Sequence, residues 1–384
     1  MNNQKRTLYD TEHTQLRDGI RSFLEQEVVP QWDAWESQGY ADREFWNKLG
    51  DLGAMGSLVD ERYGGPGSDM RVSAVVYEEI GRCGVAGASG IGVHDIVANY
   101  ILNKGTETLK ERWLPAAVSG EALFGVAMTE PGAGSDLRGI RTRAERDGDE
   151  WVINGSKIFI TNGIQADAIA VVCRTDPESE RGGLSIIMVK TDQPGFKRGR
   201  NLQKVGQKSQ DTAELFFEDA RAPLDDLVGD QDRGLNLLMD ELPFERLLIG
   251  LFALGAAKGA YEHTVNYLSE RKAFGQVIGT FQNSRYKLAE MRTEIEVGEA
   301  FVDRCVEAHM RGSLSTEQAS MCKLWMSEMQ GRIVDTCVQL HGGYGYMWEY
   351  PIGRWYADAR VQRIYGGTSE IMKELISRSP ELDD

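Results

Sequence analysis

The five cysteines of this 384-residue sequence, Cys83, Cys173, Cys305, Cys322 and Cys337, are odd in number and include no CxxC pair. That excludes a disulfide framework and a thiolate zinc site, and leaves reduced core cysteines. Histidine is as sparse: His13, His94, His263, His309 and His341 are scattered, with no HExxH or paired spacing, so no metal constellation is expected. No apolar run approaches the ~20 residues of a membrane span; the longest is LLIGLFALGAA from Leu247. The opening MNNQKRTLYDTEHTQLRD mixes both charge signs without an apolar stretch, unlike a secretory signal and unlike most transit peptides. The expectation is a reducing, cytoplasmic setting of bacterial type. Basic residues are in deficit, 43 against 59 acidic, for a net charge of −16. A nucleic-acid or anionic-membrane partner would need a basic face, so both are disfavoured, while a locally basic pocket for phosphates stays compatible.

What is present reads as an ordinary globular chain, with 41% hydrophobic and 27% charged residues and too much length for one compact core. From Thr11 to about Glu121 apolar residues recur at three and four, the spacing of helices. Pro30 should kink or end the first of them, and Gly105 with Thr106 should stop one helix and cap the next. After Gly120 the period becomes two, and FGVAMTE, RTRAER, EWVINGSKIFIT, DAIAVVCRT, GLSIIMVK and ELFFED read as strands. The pairs Asp147-Gly148, Asn154-Gly155, Asn162-Gly163 and Gly182-Gly183 read as turns between them. No helical stretch intervenes, so the sheet should be antiparallel, a barrel or sandwich. From Gly234 helices return. The fold class is therefore α+β: an N-terminal helical domain (1–122), a middle β domain (123–228) and a C-terminal helical bundle of four-helix type (229–384).

The run TEPGAGSD from Thr129 places glycines and small polar residues at the end of a strand. Consecutive exposed backbone N–H groups there can hold a phosphate or a flavin carbonyl, although a glycine-rich turn without a ligand gives the same string. It is not a dinucleotide fingerprint, because a third glycine and a following helix are missing.

The segments AMTEPGAGSDL, GSKIFITNG, RKAFG with a following Gln282, QLHGGYGYMWEYPI and IYGGTSEIMKELISR occur in the order seen in acyl-CoA dehydrogenases. From about residue 8 to residue 378 the chain resembles that family, and most of all its long-chain branch. The resemblance implies bound FAD. Val126, Met128 and Thr129 would lie along the flavin ring, with Gly134 and Ser135 at its pyrophosphate. Phe159, Ile160 and Thr161 would cover the opposite edge. Arg271, Phe274 and Gln282 would reach the adenosine end of a neighbouring subunit's FAD, which implies an obligate homo-oligomer, a tetramer in the family's manner. Gln339, Leu340, His341, Gly342 and Gly343 match the loop across the pyrophosphate, and Thr368, Ser369 and Glu370 match the last cofactor contact. Taken by themselves, Phe159 could be a strand's core residue and RKAFG a solvated helix end.

Many members carry the catalytic glutamate immediately before the glycine of the C-terminal motif, where this chain has Gly366. The long-chain and isovaleryl members instead use a glutamate on the helix after the β domain, and Glu245 in ELPFERLLIG matches it. Between Phe244 and LLIGLF, desolvation should raise its pKa towards that of a working base. The alternative takes Pro243 as the first helical residue, which leaves Glu245 in a first turn as a partner of the helix dipole.

The family's chemistry implies that the Gly366 N–H and the ribityl chain of FAD polarise the thioester carbonyl. Glu245 then removes the C2 proton while hydride leaves C3 for flavin N5. Ser135, Arg181, Gly182, Pro243, Phe244, Arg246, Gly366 and Gly367 fall at substrate-contact positions. Arg246 could serve a phosphorylated carrier or a surface ion pair. The implied electron acceptor is an electron-transfer flavoprotein. Two other readings are an acyl-carrier-protein thioester dehydrogenase or oxidase of the same fold, and a non-catalytic flavoprotein scaffold supported by Gly366.

Overall fold

The computed structural model describes residues 6–179 and 183–378, within which helices, then strands, then helices follow one another. The first block holds α1 (Thr11–Phe23), α2 (Trp32–Gln38), α3 (Arg43–Asp51), α4 (Met70–Cys83), α5 (Ile91–Lys104) and α6 (Glu107–Val118). Pro30 acts as expected. Ahead of α2 the chain passes through a π turn (Leu24–Val28) and a 3-10 turn (Val29–Gln31), because proline cannot supply the i→i−4 bond. Gly105 ends α5, and the Thr106 hydroxyl accepts the Leu109 N–H at 3.2 Å to start α6.

The middle block is β1 (Phe124–Ala127), β2 (Arg143–Asp147), β3 (Glu150–Thr161), β4 (Ala168–Arg174), β5 (Leu184–Lys190), β6 (Phe196–Asn201), β7 (Thr212–Pro223) and β8 (Leu227–Val228). They form one sheet in the order β6-β7-β3-β2-β4-β5-β8, with β1 added on β4. The sheet is mixed, which corrects the antiparallel expectation: β1 runs parallel to β4, with Phe124 opposite Ala168, and β2 meets β4 in parallel at Arg143 and Arg174. Alternation of apolar residues reports which face is buried and says nothing of strand direction. Asn154-Gly155 is also not a turn. It lies inside β3 as a bulge, where the register with β7 slips between Ile153 and Gly155. β4 is buried on both faces: Ala168, Ala170 and Val172 join the large core shared with the helices, while Ile169, Val171 and Cys173 join a second core within the β block.

The last block holds α7 (Gly234–Glu270), a hairpin of β9 (Lys272–Ala273) and β10 (Gln276–Val277), then α8 (Gln282–Met310), α9 (Thr316–His341), α10 (Pro351–Ala359) and α11 (Ser369–Ser377). RKAFG is thus the hairpin and not a helix end, with Phe274 and Gly275 both at positive φ in its turn. Pro243 lies well inside α7, so Glu245 is not in a first turn and the helix-dipole alternative loses its basis. Proline lacks the N–H that would bond the Met239 carbonyl four residues back, and Met239 itself is 44% exposed.

α7 spans 37 residues, about 55 Å at 1.5 Å per residue, and packs on α4, α5 and α9. Glycines bring α4 and α7 together, since a Cβ on Gly255 would lie 2.0 Å from the Glu78 carbonyl oxygen and one on Gly81 2.2 Å from that of Phe252. Glu78 is 1% exposed and accepts from Arg6 at 2.7 Å and Arg17 at 3.1 Å. Burial alone would raise its pKa, but Arg6, Lys258 and Arg17 together hold it well below the usual carboxylate range.

Candidate active site

Glu245 stands on α7, and the turn Tyr365–Gly367 ahead of α11 closes on it. A Cβ on Gly366 would lie 3.4 Å from Glu245 Oε1 and 2.3 Å from Ile249 Cδ1. The Glu245 carboxylate therefore lies in contact range of the point where a side chain on residue 366 would begin, a point that Ile249 crowds and that glycine, at φ 60, leaves without a side chain. Glu245 Oε2 is buried without a hydrogen-bond partner among the described residues. An unbonded buried carboxylate is expensive and would be replaced if it served packing alone. Burial raises its pKa above the ordinary value, against the pull of Arg246 and Lys323.

Several charged or polar groups lie within electrostatic reach of Glu245. Arg246 is 2% exposed and donates to Ser320 Oγ on α9 at 3.2 Å, which rules out the surface ion pair considered for it. Lys323, also on α9, is 0% exposed and donates from Nζ to the Gly367 carbonyl at 2.6 Å. On α5 the Tyr100 hydroxyl is buried without a hydrogen-bond partner among the described residues and lies within electrostatic reach of Glu245 and Glu241. Glu241 is engaged elsewhere, by Asn99 at 2.7 Å and Asn103 at 3.1 Å. Phe244 packs 5.7 Å from the His309 ring and lines a hollow of about 10 Å³ with Val59, Asp95 and Leu102. Pro243 is half-buried beside it.

At the end of β1, Val126 and Met128 pack partly on the large core, and Thr129 is half-buried. The Thr129 carbonyl accepts the Ile158 N–H at 2.9 Å, which ties the TEPGAGSD loop to β3. Lys157, fully buried, donates at 2.9 Å to both the Met128 carbonyl and Glu130 Oε1. Glu130 in turn accepts the N–H groups of Arg141 at 2.8 Å and Thr142 at 2.9 Å, so one buried ion pair fixes both ends of the loop. Gly132 and Gly134 have open space where a Cβ would stand, and Ser135 is exposed. Phe159 is 64% exposed at φ 62, an apolar face turned outward, which answers the alternative that it is a core residue. Ile160 instead sends its side chain into the β-block core and offers only its backbone, while Thr161 is half-buried.

Gln339, Leu340 and His341 close α9, and Gly342 and Gly343 again have open space at Cβ. The His341 ring stacks 4.2 Å from Tyr267, its Nδ1 bonds the Cys337 carbonyl at 2.8 Å, and its Nε2 is buried without a hydrogen-bond partner among the described residues. Burial lowers its pKa, which keeps the ring neutral. Arg271 lies 5.4 Å over the Tyr344 ring beside this turn. Phe274 is 96% exposed at the tip of its hairpin, and Gln282 bonds Tyr286 on the surface of α8. Thr368 caps α11 through Ile371 N at 3.3 Å, Ser369 donates to Glu328 at 2.9 Å, and Glu370 is exposed. Open glycines for phosphates, an outward aromatic face and an unbonded His341 Nε2 fit a flavin dinucleotide. Arg181 and Gly182 lie outside the described residues. Elsewhere on the β block, Arg138, Arg141, Arg143 and Arg174, with Glu145 among them, line a recess of about 650 Å³, a basic surface of the kind that suits a phosphorylated ligand.

Lys157, Glu130, Tyr100 and Lys323 escaped the sequence reading, although two carried a signal. Lys323 falls on the stripe Ala319, Cys322, Met326, a buried helical face where lysine is out of place, and Lys157 takes an inward position of β3.

Similarity to known proteins agrees with this geometry. The family description "Acyl-CoA dehydrogenase, N-terminal domain" matches residues 10–121, its middle domain 125–220 and its C-terminal domain 232–380. The long-chain specific acyl-CoA dehydrogenase of Sus scrofa mitochondria is 48% identical over 376 residues, covering 97% of this chain and 87% of that protein. A crystal structure of an acyl-CoA dehydrogenase from Geobacillus kaustophilus superposes with a TM-score of 0.94 at 47% identity, covering 98% and 99% of the two chains. A chain from the structure of the electron transferring flavoprotein of Acidaminococcus fermentans gives 0.94 at 32%, covering 98% and 99%. With three successive domain matches and near-complete overlap, the chain belongs to the acyl-CoA dehydrogenase family, the flavin-dependent oxidoreductases that act on acyl-CoA.

Proposed function

We propose that this dehydrogenase oxidises long-chain acyl-CoA between C2 and C3, with Glu245 as the base that takes the C2 proton. The observation that carries the reading is the Glu245 carboxylate, buried and unbonded at Oε2, with Oε1 3.4 Å from where a Cβ on residue 366 would stand. Its raised pKa makes it a stronger proton acceptor than an exposed glutamate, and its unbonded Oε2 is free to take a proton from a substrate. The Gly366 N–H donates to the thioester carbonyl, which acidifies C2. Bound FAD supplies the acceptor for the hydride that leaves C3. The TEPGAGSD loop with Phe159 and Thr161 would hold the flavin, Gln339 to Gly343 would lie across its pyrophosphate, Thr368 to Glu370 would make the last cofactor contact, and Arg271, Phe274 and Gln282 would serve a neighbouring subunit's cofactor. Phe244 and Pro243 wall the acyl chain, and the arginine recess takes the phosphates of CoA, which favours CoA over a carrier protein.

The relative from Sus scrofa supports the long-chain assignment by its name. The remaining parts of the reading are a cytoplasmic homotetramer, electron-transfer flavoprotein as acceptor, and domain limits at 122/123 and 228/229.

The test is anaerobic mixing of the holoenzyme with palmitoyl-CoA, octanoyl-CoA and an octanoyl-pantetheine thioester that lacks the nucleotide phosphates, following flavin absorbance. Palmitoyl-CoA is expected to bleach the flavin at the lowest concentration and the pantetheine thioester at the highest. Glu245→Gln should keep its FAD and lose roughly 10²- to 10⁴-fold in reduction rate. A variant that reduces its flavin at the parent rate would remove Glu245 from the mechanism.

A further inference from the structure

We propose that Lys323 is a positioning residue for the dehydrogenation, holding the Gly366–Gly367 turn against Glu245 through its bond to the Gly367 carbonyl. The inference rests on Glu245 being the base. Two successive glycines at φ 60 and 92 form a stretch with little intrinsic preference for one conformation. The direction of the Gly366 N–H depends on the peptide planes around it, and the Lys323 Nζ–Gly367 O bond of 2.6 Å fixes the carbonyl of the next residue.

A neutral donor could make that bond, and a charged one is costly to bury, so the charge itself calls for a partner. Lys323 faces Glu245 and Arg246 from α7, Glu328 on its own helix and Glu370 on α11. Glu328 is taken by Arg363 at 3.2 Å and Ser369 at 2.9 Å, and Glu370 is exposed. Glu245 faces Arg246 beside it, Lys323, Tyr100 from α5 and Tyr365 from the turn, of which only Arg246 and Lys323 are cations. Lys323 therefore joins the two halves of the site: its N–H sets the turn, and its charge favours the ionised base.

The experiment compares the holoenzymes of Lys323→Gln, which keeps a donor, and Lys323→Met, which keeps neither donor nor charge. FAD content, melting temperature and calorimetric affinity for hexadecenoyl-CoA are read beside the pH profile of flavin reduction by palmitoyl-CoA. The acid limb is expected to move to higher pH in both variants, since a cation near the carboxylate is gone. At pH well above the limb Lys323→Met should remain roughly tenfold slow with KM changed far less, and Lys323→Gln should recover most of the rate. A parental acid limb in a variant that holds FAD overturns the electrostatic half, and a parental plateau rate in Lys323→Met overturns the positioning half. If Lys323→Met does not fold, Lys323→Gln decides through the limb. Glu245→Gln run in parallel separates the two readings: if it still reduces flavin the base is misassigned, whereas an inactive Glu245→Gln beside unshifted lysine variants refutes the lysine alone.

Discussion

At residue 366 even a methyl group would force the tip of Ile249 to shift, since it would meet Ile249 Cδ1 at 2.3 Å, and it would come into contact with Glu245 Oε1 at 3.4 Å. The backbone there, at φ 60, would cost an L-residue roughly 1–2 kcal/mol besides. Gly366→Ala should fold, since that strain is a fraction of a domain's stability. It is expected to keep its FAD and to slow flavin reduction at least tenfold by displacing the turn or the base, measured by anaerobic stopped-flow absorbance. An alanine variant as fast as the parent would mean that the turn and Glu245 do not share one tight seat. The same pair of residues shows what a sequence can disclose: the absence of an acid at 366 pointed to Glu245 through resemblance, and the apolar run around it pointed to a raised pKa. Lys323 and Tyr100, which lie within electrostatic reach of Glu245, come from α9 and α5. No spacing along the chain brings them to residue 245; only the packing of three helices does.

Among elements, helices and strands were legible wherever one face is buried, because burial imposes a period of 3.6 or 2. Three features were not. The parallel pairing of β1 with β4 depends on the path of the chain after β1 and leaves no mark on side-chain alternation. β6, FKRGRN, has mostly exposed side chains and so no apolar alternation to read. The β9–β10 hairpin is too short for any period, and its helical neighbours hid it. Element packing also carries a testable pH dependence. Asp95 on α5 accepts the Gly56 N–H at 2.9 Å and the Tyr77 hydroxyl of α4 at 2.9 Å, and burial pushes its carboxyl up to about 7. A folded-state pKa above the unfolded value means that the folded state holds the proton more tightly, so this group's contribution falls as pH rises from the ordinary carboxylate value to about 7. Asp95→Asn keeps both bonds, with the amide oxygen accepting from Gly56 and the NH2 donating to Tyr77, and has no charge to bury. Its melting temperature relative to the parent should rise between pH 5 and pH 8, by an amount corresponding to roughly 2–4 kcal/mol. A constant offset across that range, read by calorimetry, would show that Asp95 does not titrate there.

On the scale of the whole molecule, the exposed apolar side chains gather meaning from where they stand. Phe274 is 96% exposed at a hairpin tip, where a polar turn residue would be the ordinary choice. A short hairpin holds its ring out from the surface of α7 and α8, and Phe281 is its only ring neighbour among the described residues, at 6.3 Å. Such a ring gains little in water and much in a second subunit's groove, so its proposed place at a neighbour's cofactor would tie cofactor retention to assembly. Phe274→Ser should then leave the monomer's fold unchanged, since the residue contributes nothing to either core. On dilution, however, it should lose FAD at a protein concentration where the parent keeps it. Sedimentation and the ratio of flavin to protein absorbance, followed together down a dilution series, check this. If the serine variant sediments like the parent and stays yellow at every concentration, Phe274 has no place in a neighbouring subunit's cofactor site, and each protomer must hold its flavin without it.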